Sequence, residues 1–286
     1  MQRLFLLFLW IMPNRLFSRL VGHLTRVRWP GFILRPFLKW YIGHYKVNVS
    51  EIEKDLSEFK TITEFFTRTL KPGVRPLAEG ENVLLCPVDG AMSQSGRIQE
   101  GTLIQAKGST YTAAELLDNA EASKRFHNGS FMTIYLSPRD YHRMHTPLAG
   151  SISSYHYVPG ALLPVNPPSV AYFKGLFARN ERLISYIDYP VPGEEGKTKQ
   201  VAFVKVGATN VGRIRLSYKD FVTNRWGFPS SKSFVLDNPV ELGAGDELAI
   251  FEMGSTIVML FEPGVELDEI SLDEKVRLGQ KIGKIG

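Results

Sequence analysis

Seven runs rich in Val, Ile, Tyr, Phe and Thr occupy the chain beyond residue 80: VLLCPV, SFMTIYLS, GSISSYHYV, QVAFVKVGA, VGRIRLSY, DELAIFEMG and STIVMLFE. Each is bounded by Gly, Pro or Asp, residues that stop strands and open turns. Helical spacing is confined to AAELLD near residue 115, to the region Leu176 to Leu183, to a short stretch carrying Phe65 and Phe66 behind a Thr61/Glu64 capping box, and to the N-terminal segment. This combination predicts an α+β fold with a mostly antiparallel sheet core. A length of 286 residues and a hydrophobic content of 44% are enough to bury a core of that kind. The single cysteine, Cys86, excludes an intramolecular disulfide and, inside VLLCPV, reads as core packing.

Charge divides the chain differently. Residues 1–50 hold eight Lys and Arg and no acid, whereas the rest is slightly acidic, so the net charge of +5 belongs to one segment. A local anionic partner fits that pattern, and a nucleic-acid groove spread over the fold does not. The segment is also greasy. The apolar run Leu4 to Met12 is far below the roughly 20 residues needed to span a bilayer, and Pro13, Asn14 and Arg15 stand where a signal peptidase site would need small residues. From Asn14, Leu16, Phe17, Leu20, Val21, Leu24 and Val27 recur at helical spacing between basic residues, and Trp10, Trp29, Trp40 and Tyr41 are suited to headgroup depth. The expectation is an amphipathic, basic membrane-association segment over 1–48, followed by a catalytic domain over 49–286.

Familiar chemical motifs are absent. HRMH at 142–145 lacks the spacing of a zinc helix, neither phosphate-loop pattern occurs, and Ser255 leads into the strand-like TIVMLF rather than the helix of a hydrolase elbow. Three polar places stand out. Asp89 follows an apolar strand in PVDGAM, Arg139, Asp140, His142, Arg143 and His145 crowd the loop SPRDYHRMHTPLAG, and Ser255 follows Gly254 in FEMGST. Asp, His and Ser are the parts that orient a base and activate a hydroxyl. A second Gly-Ser-Thr, at 108–110, leads into AAELLD and reads as a helix cap through Ser109 or Thr110.

The series FFTRTLKPGVRP, PVDGAM, SPRDYHRMHTPLAG, the NER of ARNERL, VAFVKVGATNVGRI and FEMGSTIVMLFEPG resembles, in order, the signatures of phosphatidylserine decarboxylase, from about residue 50 to 264. Met253 stands where that family's cleavage motif commonly has Leu. The resemblance implies a proenzyme that cuts itself between Gly254 and Ser255 into 1–254 and 255–286, the two fragments staying associated. Ser255 becomes a pyruvoyl group, which forms a Schiff base with phosphatidylserine and releases phosphatidylethanolamine, with no pyridoxal phosphate and no metal. By resemblance, His145 acts as the base on Ser255, Asp89 holds its imidazole, and His142 serves the substrate side. It also implies a peripheral place on the cytoplasmic face of the inner membrane, with an anionic surface and phosphatidylserine as partners and no nucleic acid. A homodimer is compatible with it. Arg139, Arg143 and Lys174 are candidates for the lipid phosphate. The competing readings are an Asp-His-Ser lipid hydrolase that stays uncut and a non-enzymatic membrane-binding module.

Overall fold

A computed structural model describes residues 14–106, 109–209, 213–224, 230–252 and 255–286. The apolar run Leu4 to Met12, and the Met253-Gly254 half of the expected cleavage site, lie outside the described residues.

The chain opens with two helices, α1 (Asn14–Arg26) and α2 (Gly31–Tyr45), and a third short one, α3 (Ile62–Phe66). Thr61 caps α3 by accepting from the Glu64 N–H, while Glu64 accepts from Lys60 N–H, so the expected capping box is met on one side only. Helices α2 and α3 share a small core of Leu34, Leu38, Tyr41, Val47, Ile52, Phe59, Phe65 and Phe66, with members on both sides of residue 48.

Strands follow: β1 (Val83–Leu85), β2 (Gly90–Arg97), β3 (Thr102–Ala106), β4 (Ser109–Thr112), β5 (Ser130–Tyr135), β6 (Arg143–His145), β7 (Gly150–Val158), β8 (Arg182–Pro190), β9 (Thr198–Val206), β10 (Ile214–Leu216), β11 (Lys232–Leu242), β12 (Glu247–Phe251), β13 (Thr256–Phe261), β14 (Val265–Leu267), β15 (Lys275–Val276) and β16 (Lys281–Ile285). The main sheet has eight strands in the order β11-β7-β8-β9-β13-β5-β2-β15, and its strand pairs are antiparallel, as the sequence predicts. A three-stranded sheet β10-β12-β6 lies beside it, and β1-β16-β14 forms a third.

Two local expectations are corrected. The 109–112 stretch is strand β4, and the helix Ala113–Leu117 is capped by Thr112, whose side chain and that of Glu115 complete a full capping box. Neither Ser109 nor Thr110 is the cap. The region 176–183 holds only the helical turn Leu176–Arg179, after which β8 begins at Arg182, because the β-branched and aromatic run LISYI pairs between β7 and β9.

Residues 255–286 are woven into the larger part. β13 sits between β5 and β9 in the middle of the main sheet, β15 lengthens its edge against β2, and β16 pairs with β1. All six residues of β13 are buried. An apolar central strand of this kind has no face that tolerates water, which is why TIVMLF reads as a continuous hydrophobic run.

Candidate functional site

Ser255 lies between two sheets. β12 ends at Phe251 in the small sheet, and β13 begins at Thr256 in the main one. The chain that pairs with both is the one carrying the histidines. β5 pairs with β13 through Tyr135 opposite Thr256, and Leu136 N–H donates to Ser255 O at 2.8 Å. Beyond the loop, Phe251 N–H donates to His142 O at 3.0 Å and Arg143 stands opposite Ile250. The stretch 135–143 therefore pairs at one end with Ser255 and Thr256 and at the other with Ile250 and Phe251. Ser255 and His142 are both 0% exposed, and neither Ser255 Oγ nor His142 Nε2 has a hydrogen-bond partner among the described residues. Buried polar atoms left bare in this way are uncommon and mark sites of chemistry or strain.

Period-two alternation sorts the histidines to opposite faces of β6. His142 and Met144 point inward; Arg143 and His145, together with Tyr141, take the other face. His142 Nδ1–H donates to Asp140 O at 2.8 Å. A carbonyl only accepts, so this bond fixes the tautomer and leaves Nε2 as a lone pair. The Phe66 ring covers the imidazole at 4.0 Å between centroids. Burial, assisted by the nearby Arg68 cation, pushes the His142 pKa down to about 3, so the ring is neutral at physiological pH.

His145 has the same electronic form. Its Nδ1–H donates to Gly245 O at 2.8 Å, its Nε2 accepts from Tyr141 Oη at 3.4 Å, and burial lowers its pKa. Burial also pushes Tyr141 up to about 12, so it remains a donor.

Asp89 is held from two sides. Arg75 grips its carboxylate with Nη2 at 2.6 Å and Nε at 2.9 Å while reaching Glu51 at 2.7 Å, and Leu278 N–H donates to it at 2.9 Å. His145 N–H donates to Pro87 O, which makes the Asp89 and His145 segments neighbours. Their side chains make no hydrogen bond: the Gly245 carbonyl occupies the place at His145 Nδ1 that the sequence reading gave to Asp89. Gly90 next to Asp89 is required, because a Cβ there would lie 2.6 Å from Tyr135 O.

A cavity of about 220 Å³ lies on the Asp89 side, lined by Arg68, Arg75, Asp89, Arg139, Asp140 and Tyr141 among others. Of the phosphate candidates, Arg139 lines this cavity, Arg143 is committed to Glu247 and Thr67 O, and Lys174 belongs to a separate cavity with Arg179 and Arg182. Asn180 and Glu181 of NER are structural: Asn180 bonds Leu163 and Gly207, and Glu181 accepts from Tyr157. Sequence reasoning missed Arg68, Arg75 and Tyr141, although all three lie within the quoted signatures, and it expected Tyr41 at headgroup depth, whereas Tyr41 is buried and donates to Pro138 O. No group of three or more His, Cys, Asp or Glu suited to a metal occurs among the described residues.

The family model for phosphatidylserine decarboxylase matches residues 62–284. The chain belongs to the phosphatidylserine decarboxylase family. It is similar to the phosphatidylserine decarboxylase proenzymes of Anaeromyxobacter sp. (strain K), at 42% identity over 99% of this chain and 98% of that one, and of Myxococcus xanthus, at 44% over 96% of each. The proenzyme of Shewanella loihica is 41% identical over the full length of both. Within this phosphatidylserine decarboxylase family member, the buried Ser255 hydroxyl at the strand junction is the feature that fits a serine-derived pyruvoyl group.

Proposed function

We propose that this chain is a proenzyme that cuts itself between Gly254 and Ser255 and, once cut, decarboxylates phosphatidylserine to phosphatidylethanolamine at a membrane surface. The observation that carries the reading is Ser255 itself: a fully buried hydroxyl without a partner among the described residues, at a junction between two sheets, beside a loop carrying a neutral imidazole.

In the cut, Ser255 Oγ attacks the Gly254 carbonyl carbon, and the amide becomes an ester as the serine nitrogen is freed. Removal of the Ser255 α-proton then expels the Gly254 carboxylate and leaves a dehydroalanine. Its imine tautomer is hydrolysed with loss of ammonia, and a ketone remains at the head of residues 255–286. That ketone supplies the electron sink which decarboxylation of an amino acid headgroup requires.

The chain's own groups supply the proton handling. His145 and His142 each present a bare or weakly engaged Nε2, the form a general base needs. By family resemblance His145 serves the cut and His142 returns a proton to the substrate carbon. The strand register favours a second assignment, in which His142 serves both, because it lies opposite Phe251 whereas His145 lies opposite Glu247. His145→Ala separates them: an uncut chain supports the first assignment, and normal cutting supports the second. Asp89, buried with Arg75 and Leu278 N–H, ties the small fragment to the large one beside these bases.

Membrane attachment rests on α1 and α2. Ser18 and Thr25 of α1 are buried against the body, while Leu20 is 57% exposed and Leu24 and Val27 also face outward. On α2, Leu34, Leu38 and Tyr41 face inward and Phe32, at 80% exposure, Ile33 and Trp40 face outward. Arg28, Arg35 and Lys39 border this apolar surface. Such a surface suits the headgroup boundary of an anionic leaflet. Among the described residues no helix is long and apolar enough to cross a membrane, and we assign the protein a peripheral place on the cytoplasmic face of the inner membrane. Ser255→Ala tests the whole reading: it should give one uncut chain with no decarboxylation, and a variant that still splits would overturn it.

A further inference from the structure

Arg68, in the FFTR stretch, is 5% exposed and has no carboxylate partner among the described residues. Its guanidinium donates only to backbone carbonyls, to Arg139 O at 2.7 Å, Asp140 O at 3.1 Å and, more loosely, Phe65 O at 3.5 Å. Burying a cation without a counter-ion is costly, so its retention calls for a reason other than stability. The Asp140 carbonyl that it holds is the same one that receives His142 Nδ1–H. Two residues earlier, at the end of α3, Phe66 covers the His142 ring.

We propose that Arg68 is a positioning residue for His142. It grips the 139–140 backbone from just beyond the end of α3, so that the Asp140 carbonyl stays aimed at Nδ1–H and Nε2 stays free of its proton. This rests on the reading that His142 serves the reaction.

The other charges near the ring are already engaged. Asp140 accepts from Ser137 N–H and Oγ–H, Arg143 pairs with Glu247, and Arg139 lies 3.8 Å from the Asp140 carboxylate. Just past the end of β12, Glu252 is paired with Arg26 and Arg213. Among the described residues Arg68, just beyond the end of α3, is thus the cation left to act on His142, and it disfavours the imidazolium as well as fixing the loop. Tyr41 Oη–H adds a third grip by donating to Pro138 O at 2.8 Å.

The test uses full-length protein, with Arg68→Met, which removes charge and donors, and Arg68→Lys, which keeps the charge but not the planar guanidinium that reaches Phe65 O and the two loop carbonyls together. Histidine ring ¹⁵N–¹H correlation spectra report the His142 tautomer and its titration, and decarboxylation is followed on phosphatidylserine vesicles. Wild type should show His142 neutral with Nδ1 protonated across pH 5–8. In Arg68→Met the tautomer should become mixed and the ring's titration should move to higher pH. Decarboxylation should fall ~10²-fold in kcat, the scale of an ångström-level misplacement, with KM little changed and the acid limb of the rate profile moved upward. Arg68→Lys should lie between.

If Arg68→Met folds too poorly to purify, the Arg68→Lys spectrum decides alone: a wild-type tautomer with a wild-type pH profile overturns the proposal. So does an Arg68→Met protein with both unchanged, whatever its stability. A shifted tautomer with unimpaired decarboxylation upholds the grip on the loop and sinks the role given to His142.

Discussion

Helix α1 and the β body bury opposite kinds of surface. In the body, β13 and its neighbours β5 and β9 are apolar on both faces and almost wholly buried, a region folded for its own sake. In α1 the arrangement is turned around: Ser18 and Thr25 face the protein, Arg19 and Arg26 reach back to Asn224 and Glu252, and Leu20 and Leu24 face out. Water cannot drive that arrangement, because it leaves apolar area exposed. An apolar surface elsewhere can.

The two regions nevertheless meet at the site. Tyr41, Phe66, Arg68 and Thr67 O from the helical part contact the 137–143 loop, and Arg26 holds Glu252, two residues before Gly254. The lesson of the contrast is that the basic segment, beyond the membrane role proposed for it, is built into the protein. It presents a greasy face outward and grips the catalytic loop with its inner face, so deleting residues 1–45 should impair cutting as well as vesicle binding.

Substitutions that separate the two roles sharpen this. The largest effect should follow Asp89→Asn, which breaks the buried pair with Arg75 that links the 49–76 stretch to the body. Losing one partner of such a pair costs about 3–5 kcal/mol, read as a lower urea midpoint together with loss of cutting. Next comes the double variant Phe32→Ser and Trp40→Ser. Burying a large apolar side chain contributes about 1.5–3 kcal/mol, so affinity for anionic vesicles should drop ~10²-fold while cutting proceeds at the normal rate. Equal loss of both would erase the division. Arg26→Gln should do the reverse on a smaller scale. The pair is partly exposed and is worth at most about 1 kcal/mol, so cutting should slow no more than roughly fivefold with vesicle binding intact.

The smallest effect at neutral pH is electrostatic. The unfolded chain takes up a proton on His142 near pH 6.5, whereas the folded ring resists until about pH 3. Between those values the unfolded state binds more protons, so stability falls as pH is lowered from 6.5 toward 3 and this contribution is fully present above 6.5. Urea midpoints of wild type should decline over that window more steeply than those of His142→Gln.

Much of the architecture was legible because strand runs in a two-sided core are continuous and their turns are marked. VLLCPV, SFMTIYLS and TIVMLF became β1, β5 and β13. Short helices were less readable, since Thr112 rather than Ser109 or Thr110 has the geometry of a cap, and tertiary pairing claimed 182–183 for a strand. At the site, Ser255, His142, His145 and Asp89 announced themselves as polar residues in apolar surroundings. Their mutual contacts did not. The Gly245 carbonyl at His145 and the Asp140 carbonyl at His142 are backbone groups, and no side-chain pattern encodes where a distant backbone oxygen will point. Arg68 and Arg75 are ordinary charges in sequence, and their burial is decided by how the helical part docks on the loop.

The most direct measurement is the intact mass of denatured, catalytically active protein. The account predicts two chains, 1–254 and 255–286, the smaller lighter than a serine-started peptide by the mass of ammonia. A single unbroken chain with serine at 255 in material that decarboxylates phosphatidylserine would contradict it.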